Sequence, residues 1–192
     1  ILRRLATMFL RLGKWDVDPQ PAPSDPRYML LAAPHTSFVD GFWMLCAAHH
    51  FGIKVKFVMK AKHLNGVFAP LRWMGAIPVE PGAGKGTTEA LKALVEDAEA
   101  FALLIAPSGS RSYDDRWRSG FLHLARDTEL PVYCSVLDYG RRRIALSADP
   151  IDAQGDVAAV MDRIRDFYDG ALGRKPEQTS VIVLKEEAAN TA

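Results

Sequence analysis

The segment YMLLAAPHTSFVDGFWMLCAAHHF, residues 28–51, decides the fold. Residues 28–33 form an unbroken apolar run of strand length, the mark of a strand buried on both faces. Pro34 breaks the run, His35 falls in the turn, and a helix reads over 37–51. Working outward, 55–59 reads as a second strand and 63–74 as a helix despite Pro70. A brief strand over 76–79 precedes a glycine-rich turn. Over 87–101 the spacing predicts a helix with Ala90, Leu91, Leu94, Val95 and Ala98 on its inner face. Glu89, Lys92, Glu96 and Glu99 point largely outward. Further strands read over 102–106, 132–137, 144–147 and 180–184, and helices over 119–128 and 157–172. This alternation predicts an α/β fold: a single layered domain with a mixed, mostly parallel sheet flanked by helices.

Before the first strand, ILRRLATMFLRLGKW has Ile1, Leu5, Met8, Phe9 and Leu12 at helical spacing, with Leu2 beside them. Arg3, Arg4, Arg11 and Lys14 lie mostly off that stripe. A basic amphipathic helix suits a membrane surface as well as the flank of its own domain. The organisation expected is a helix within 1–18, a proline-rich connector over 19–27, and the main domain over 28–192. No internal repeat is present.

A length of 192 residues suits one domain, and 48% hydrophobic with 24% charged residues excludes a disordered or fibrous chain. Cys46 and Cys134 make no disulfide framework and no zinc spacing, which fits a reducing compartment. The longest stretch without an acidic or basic residue is 41–53, thirteen residues, shorter than the roughly 20 a spanning helix needs. No signal peptide stands out. The net charge of +1 is unevenly spread: residues 1–75 carry ten Lys and Arg against four Asp and Glu. That basic front half suggests an anionic partner: a nucleic acid, a membrane surface, or a phosphorylated or CoA-bearing ligand.

Chemistry concentrates at His35 and Asp40. Positions i and i+5 on one helix point apart, but a histidine before the helix start and an acid in its first turn can be bent together. The carboxylate would then accept from Nδ1–H, fix the tautomer and leave Nε2 free as a base. The same spacing also allows Asp40 to be a plain helix cap and His35 an ordinary turn residue.

Three further blocks follow in order: GAIPVE at 75–80, APSGSRS at 106–112 and LPVYCSV at 130–136. WRSGFLHLA at 117–125 and LDYGRRR at 137–143 lie beside them. With PHTSFVD this order resembles the glycerolipid acyltransferase family, which includes the 1-acylglycerol-3-phosphate acyltransferases, over roughly residues 28–184. The resemblance implies a glycerol-phosphate-acyltransferase-like fold. It also implies transfer of a fatty acyl group from acyl-CoA or acyl carrier protein to a hydroxyl of a lysophospholipid-like or other lipid acceptor. His35 would be the general base and Asp40 its orienter. Ser108, Gly109, Ser110 and Arg111 would contact substrate, with backbone amides of the 107–109 turn a source of oxyanion stabilisation. It implies no cofactor beyond the acyl donor, and a cytoplasmic enzyme peripheral on the inner face of the cell membrane.

The sequence departs from the family where an arginine should follow the second block, since Glu80 and Pro81 stand there. In the third block Ser108 replaces the family's glutamate and Ser110 its threonine. Glu80 would repel a nearby phosphate, which leaves two expectations: an acceptor without the usual phosphate, or phosphate binding moved elsewhere. Lys85 is the residue named for the second case, in a glycine-rich turn opening a helix; a plain flexible turn is the alternative. His49 and His50 are expected at the surface or partly packed. His63 and His123 lack partners at metal spacing, so no metal is expected. Lys54, Lys56, Lys60 and Lys62 form a solvated edge or a guide for an acyl carrier. Arg141, Arg142 and Arg143 cover a strand end or meet anionic groups. Phe38, Phe42, Trp43 and Phe68 are core or the lining of an acyl groove. Two rivals stand beside the acyltransferase: a non-catalytic acyl-CoA- or lipid-binding relative, and a serine hydrolase using Ser108 or Ser110, which lacks the G-x-S-x-G elbow. No nucleic-acid motif is present.

Overall fold

The apolar runs become strands of one sheet in a computed structural model. It describes the backbone of residues 2–79, 84–97 and 99–190, with all side chains there except those of 63, 67, 68, 84–88, 97 and 188–190. Helix α1 (Leu2–Leu12) leads to a two-residue strand β1 (Asp16–Val17), then β2 (Arg27–Ala33) and α2 (Phe38–Phe51). After β3 (Val55–Lys60) and β4 (Ala76–Val79) come α3 (Gly84–Asp97), β5 (Phe101–Ile105), α4 (Gly120–Thr128), β6 (Val132–Asp138), β7 (Arg143–Leu146) and α5 (Val157–Tyr168). The sheet order is β1-β7-β6-β2-β5-β3-β4. Every neighbouring pair is parallel except β6 with β7. The α/β expectation with a mostly parallel mixed sheet therefore holds.

Strand β2 lies at the centre and alternates between two packed faces. Met29, Leu31 and Ala33 join Leu103, Val132 and Cys134 under side chains of α3, α4 and α5. Tyr28 and Leu30 point the other way, toward Ala48 of α2. Each fully buried leucine or isoleucine of these layers contributes roughly 2 kcal/mol. Helix α2 is apolar nearly all round because it is sandwiched. The sheet lies on one side, and Ala6 and Leu10 of α1 pack near Cys46 and Ala47 on another. Among the described residues no helix is long and apolar enough to cross a membrane.

Several sequence expectations need correction. Residues 180–184 form no strand: their backbone bonds run to the irregular 114–117 segment, Val181 N–H to Asp114 O and Trp117 N–H to Val183 O. Over 63–74 the chain makes short 3₁₀ turns, Gly66–Arg72 among them, because Pro70 lacks a donor to sustain an α-helix. Helix α3 ends at Asp97, and Phe101 opens β5 instead of closing the helix. Helix α5 stops at Tyr168, ahead of Gly170 with its φ of +65°. Strand β1 is too short to show a period, and it joins the sheet with Arg143 paired to Asp18 at 2.7 Å. In α1 the buried face is Ala6 and Leu10, while the stripe of Leu2, Leu5, Met8, Phe9 and Leu12 faces solvent.

Candidate active site

Because β2, β5 and β6 are parallel, the turns leaving their C-terminal ends share one edge of the sheet, where such sheets bind ligands. Those turns carry His35, the 106–112 block and Tyr139. Ser37 caps α2: its hydroxyl accepts from Val39 N–H, and Asp40, at the third helical position, accepts from Ser37 N–H. This capping box fixes the Asp40 rotamer. The two sequence readings of Asp40 are thus not exclusive, since one carboxylate both caps the helix and faces the histidine.

Asp40 is wholly buried. Its Oδ2 accepts from Thr36 N–H at 2.8 Å and Ser37 N–H at 2.7 Å, and its Oδ1 from the Tyr139 hydroxyl at 2.7 Å. His35 Nδ1 lies 3.3 Å from Oδ2. The ring nitrogen is buried there without a well-aligned hydrogen bond, so the contact is a close charge–dipole approach. Burial by itself would raise the Asp40 carboxyl; the contacts from His35, Tyr139 and the two amides outweigh it and hold its pKa below the ordinary carboxylate value. The Tyr139 hydroxyl shifts the other way, raised by burial and by the carboxylate it serves. The His35 side chain is 22% exposed, and since Nδ1 is buried that exposure belongs to its other atoms.

The third block lies alongside. Ser108 and His35 line one cavity of about 30 Å³ with Pro34, Trp117 and Tyr168, which is room for a water molecule but not for a lipid. The Ser108 hydroxyl donates to Ser110 O at 2.9 Å, and that of Ser110 to Ser112 O at 3.2 Å. Gly109 has φ +68° and its N–H donates to Ala106 O, so that amide is already engaged within the turn and is not a free oxyanion donor. The Arg118 side chain lies across Gly109, with Nε 2.5 Å from where a Cβ would stand. Arg111 is exposed and places its guanidinium 5.7 Å from the Phe38 ring centre, at the first turn of α2. Gln178 ties the two blocks together when its amide is turned to suit its neighbours, the nitrogen then donating to Arg111 O at 2.9 Å and Thr36 O at 3.0 Å. Lys175 N–H adds a bond to Thr36 Oγ1.

His35, Asp40, Ser108, Gly109, Ser110 and Arg111 therefore gather at one end of the sheet. Lys85 belongs to the first turn of α3, but its side chain lies outside the described residues, as do Glu80 and the side chains of His63 and Phe68. Phe38 and Phe42 are half exposed, and Phe42 stacks edge-on against Phe9 and Trp43. His50 meets Thr7 Oγ1 at 2.9 Å. The arginine run is engaged locally: Arg141 with Asp138, Arg142 over Trp15, Arg143 with Asp18. Among the described residues no group of three or more His, Cys, Asp or Glu could hold a metal ion. Sequence reasoning missed the contact of Tyr139 with Asp40. The register supplies the signal in hindsight, because Ala33 pairs with Val136 and the residues just beyond both strands must meet.

Comparison with known proteins agrees with this architecture. The structure is similar to the crystal structure of the 1-acyl-sn-glycerophosphate (LPA) acyltransferase PlsC from Thermotoga maritima. The TM-score is 0.57 at 17% identity, covering 90% of this chain and 80% of that one, which is a likeness of fold. No curated protein matches. The model of the family described as Acyltransferase matches residues 18–138, more than half of the chain and all of the His35, Asp40 and third-block region. The chain belongs to the Acyltransferase family.

Proposed function

We propose that this protein transfers a fatty acyl group from a thioester, acyl-CoA or acyl carrier protein, to a hydroxyl of a lysophospholipid-like or other lipid acceptor. The observation that carries this reading is the approach of His35 Nδ1 to a buried Asp40 whose other contacts are all donors. A carboxylate held in that way keeps a proton on Nδ1 and leaves Nε2 unprotonated. Nε2 takes the acceptor's proton as its oxygen attacks the thioester carbonyl; the tetrahedral intermediate then collapses, breaking the C–S bond, and the departing sulfur takes that proton from Nε2 to leave as the thiol. A positioned base contributes about 10²–10⁴-fold to such a step. Since the cavity beside the ring admits only a water, both substrates approach from the solvent side of His35, whose side chain is partly exposed. Arg111, which lies over the Phe38 ring at the first turn of α2, is the residue offered to an anionic group, and Ser108 and Ser110 shape the turn that carries it. An acceptor without a phosphate, or a phosphate taken by Lys85, accounts for the lost arginine of the second block.

Work at a bilayer surface is part of the same reading. The apolar stripe of α1 is left uncovered, with Leu2 65% and Leu12 71% exposed, and Arg3, Arg4 and Arg11 are exposed on the same helix. Apolar contact backed by cations suits anionic lipid headgroups. The hydrolase alternative is disfavoured because the Ser108 hydroxyl donates to a carbonyl and not to the imidazole.

The test is thiol release from a panel of acyl-CoAs and acyl carrier proteins, against lipid acceptors with and without phosphate, in wild type and His35→Ala. Release that depends on an acceptor and falls at least 100-fold in the variant is expected. Binding of acyl-CoA without release from any pair would support the non-catalytic alternative, and undiminished release from His35→Ala would refute the assigned base. Sedimentation with anionic vesicles, lost in Leu12→Glu, checks the surface helix.

A further inference from the structure

We infer that Tyr139 is a positioning residue for the histidine–aspartate pair, acting through the oxygen of Asp40 that the helix cap leaves free. This inference rests on the functional reading of His35 above. The capping amides of Thr36 and Ser37 both bond Oδ2, the oxygen that also faces His35. A carboxylate held through one oxygen can still swing its second oxygen about the terminal torsion, which is soft for aspartate. Tyr139 supplies the missing constraint by donating its hydroxyl to Oδ1 at 2.7 Å. With both oxygens held, the plane of the carboxylate is fixed, and with it the side on which the imidazole must lie.

The tyrosine is itself anchored. It follows directly on β6, which runs parallel beside β2, so the chain delivers it to the level of His35. Its ring meets the buried Trp15 edge-on, with centres 4.9 Å apart, and the Arg142 guanidinium lies over that indole at 5.1 Å. Its backbone N–H donates to Leu172 O. Among the described residues, Tyr168 of α5 lines the cavity beside His35, and Arg111 lies over Phe38 at the first turn of α2. Asp40 and His35 come from the turn into α2 and its first turn, Arg142 from the β6–β7 turn, and Arg174 from the segment after α5, close enough to Tyr139 to act on its hydroxyl.

The contact also sets how strongly Asp40 holds a protonated ring. A donated hydrogen bond disperses the charge of the carboxylate. Removing it leaves the carboxylate more basic, so that it holds an imidazolium more tightly. A ring held more tightly in its protonated form is a poorer proton acceptor.

Tyr139→Phe isolates the hydroxyl, since it keeps the ring against Trp15. Two measurements are made on the whole chain. One is the pH profile of kcat and KM for thiol release. The other is an NMR titration of the His35 imidazole, assigned by its loss in His35→Gln. The His35 resonances are expected to respond at higher pH in Tyr139→Phe than in wild type, and the acid limb of kcat to move the same way. At neutral pH kcat falls by up to about tenfold, while KM stays within about twofold. An unmoved His35 midpoint overturns the inference whatever else changes, including a lower melting temperature, which marks a packing role only. If the wild type transfers no acyl group, the functional reading fails. The midpoint still decides whether Tyr139 tunes His35.

Discussion

Replacing Asp40 tests the structural half of the dual role of this carboxylate apart from its chemistry. In Asp40→Ala the amide of Thr36, which is fully buried, loses its acceptor, as do the Ser37 amide and the Tyr139 hydroxyl. An orphaned buried donor costs about 1–3 kcal/mol, and the two less buried donors recover part of theirs from water. The expected loss is therefore about 3–5 kcal/mol. At roughly 2–4 °C per kcal/mol for a domain of this size, the melting temperature falls by about 6–20 °C. Asp40→Asn keeps the shape, and its oxygen can still serve both amides while its nitrogen faces a tyrosine hydroxyl able to turn and accept. It forfeits only the charge assistance and should cost about 1–2 kcal/mol. The two variants separate further with pH. The carboxyl of Asp40 lies below its ordinary value in the folded state, so its charge contributes stability that is fully present above the unfolded pKa of about 4. That contribution drains away as pH falls through the lowered folded value. The gap between wild type and Asp40→Asn should hold from pH 7 to about 4 and narrow below. Urea unfolding across that range, followed by tryptophan fluorescence, measures both effects. An alanine variant within about 0.5 kcal/mol of wild type, or a gap that widens in acid, would refute this account of the cap.

Two other outcomes are expected. Gly109→Ala should lose about 1–2 kcal/mol in chemical denaturation. An L-residue is strained at φ +68°, and the new methyl would meet Arg118 Nε at 2.5 Å and Cδ at 2.6 Å; unchanged or increased stability would contradict the turn geometry. Both thiols should resist a disulfide reagent in the native protein and react in denaturant. Cys134 is fully buried with its thiol pushed up to about 12 by desolvation, and Cys46 is buried and raised in the same way. Rapid native labelling of Cys134 would show that the sheet opens there.

Much of this protein is decided locally and so is legible in one dimension. The run at 28–33 has no other stable use than a strand covered on both faces, and Pro34 and the helix start after it follow from backbone chemistry alone. The meeting of His35 with Asp40 was also within reach, because five residues across a helix cap bring only a few conformations into play. The 180–184 run looked like a strand for the same local reasons and is none, since pairing needs a free sheet edge that composition does not reveal. The apolar stripe of α1 likewise shows an amphipathic helix but not which side the domain covers, and here Ala6 and Leu10 took the inside. Tyr139 is the clearest case of what the chain order conceals. It lies 99 residues from Asp40 and reaches it only because β6 lies beside β2 in parallel register. Spacing along a helix or turn is a property of the backbone and can be read from the sequence. Which distant turns share an edge of the sheet depends on strand order, and strand order emerges only when every layer packs at once.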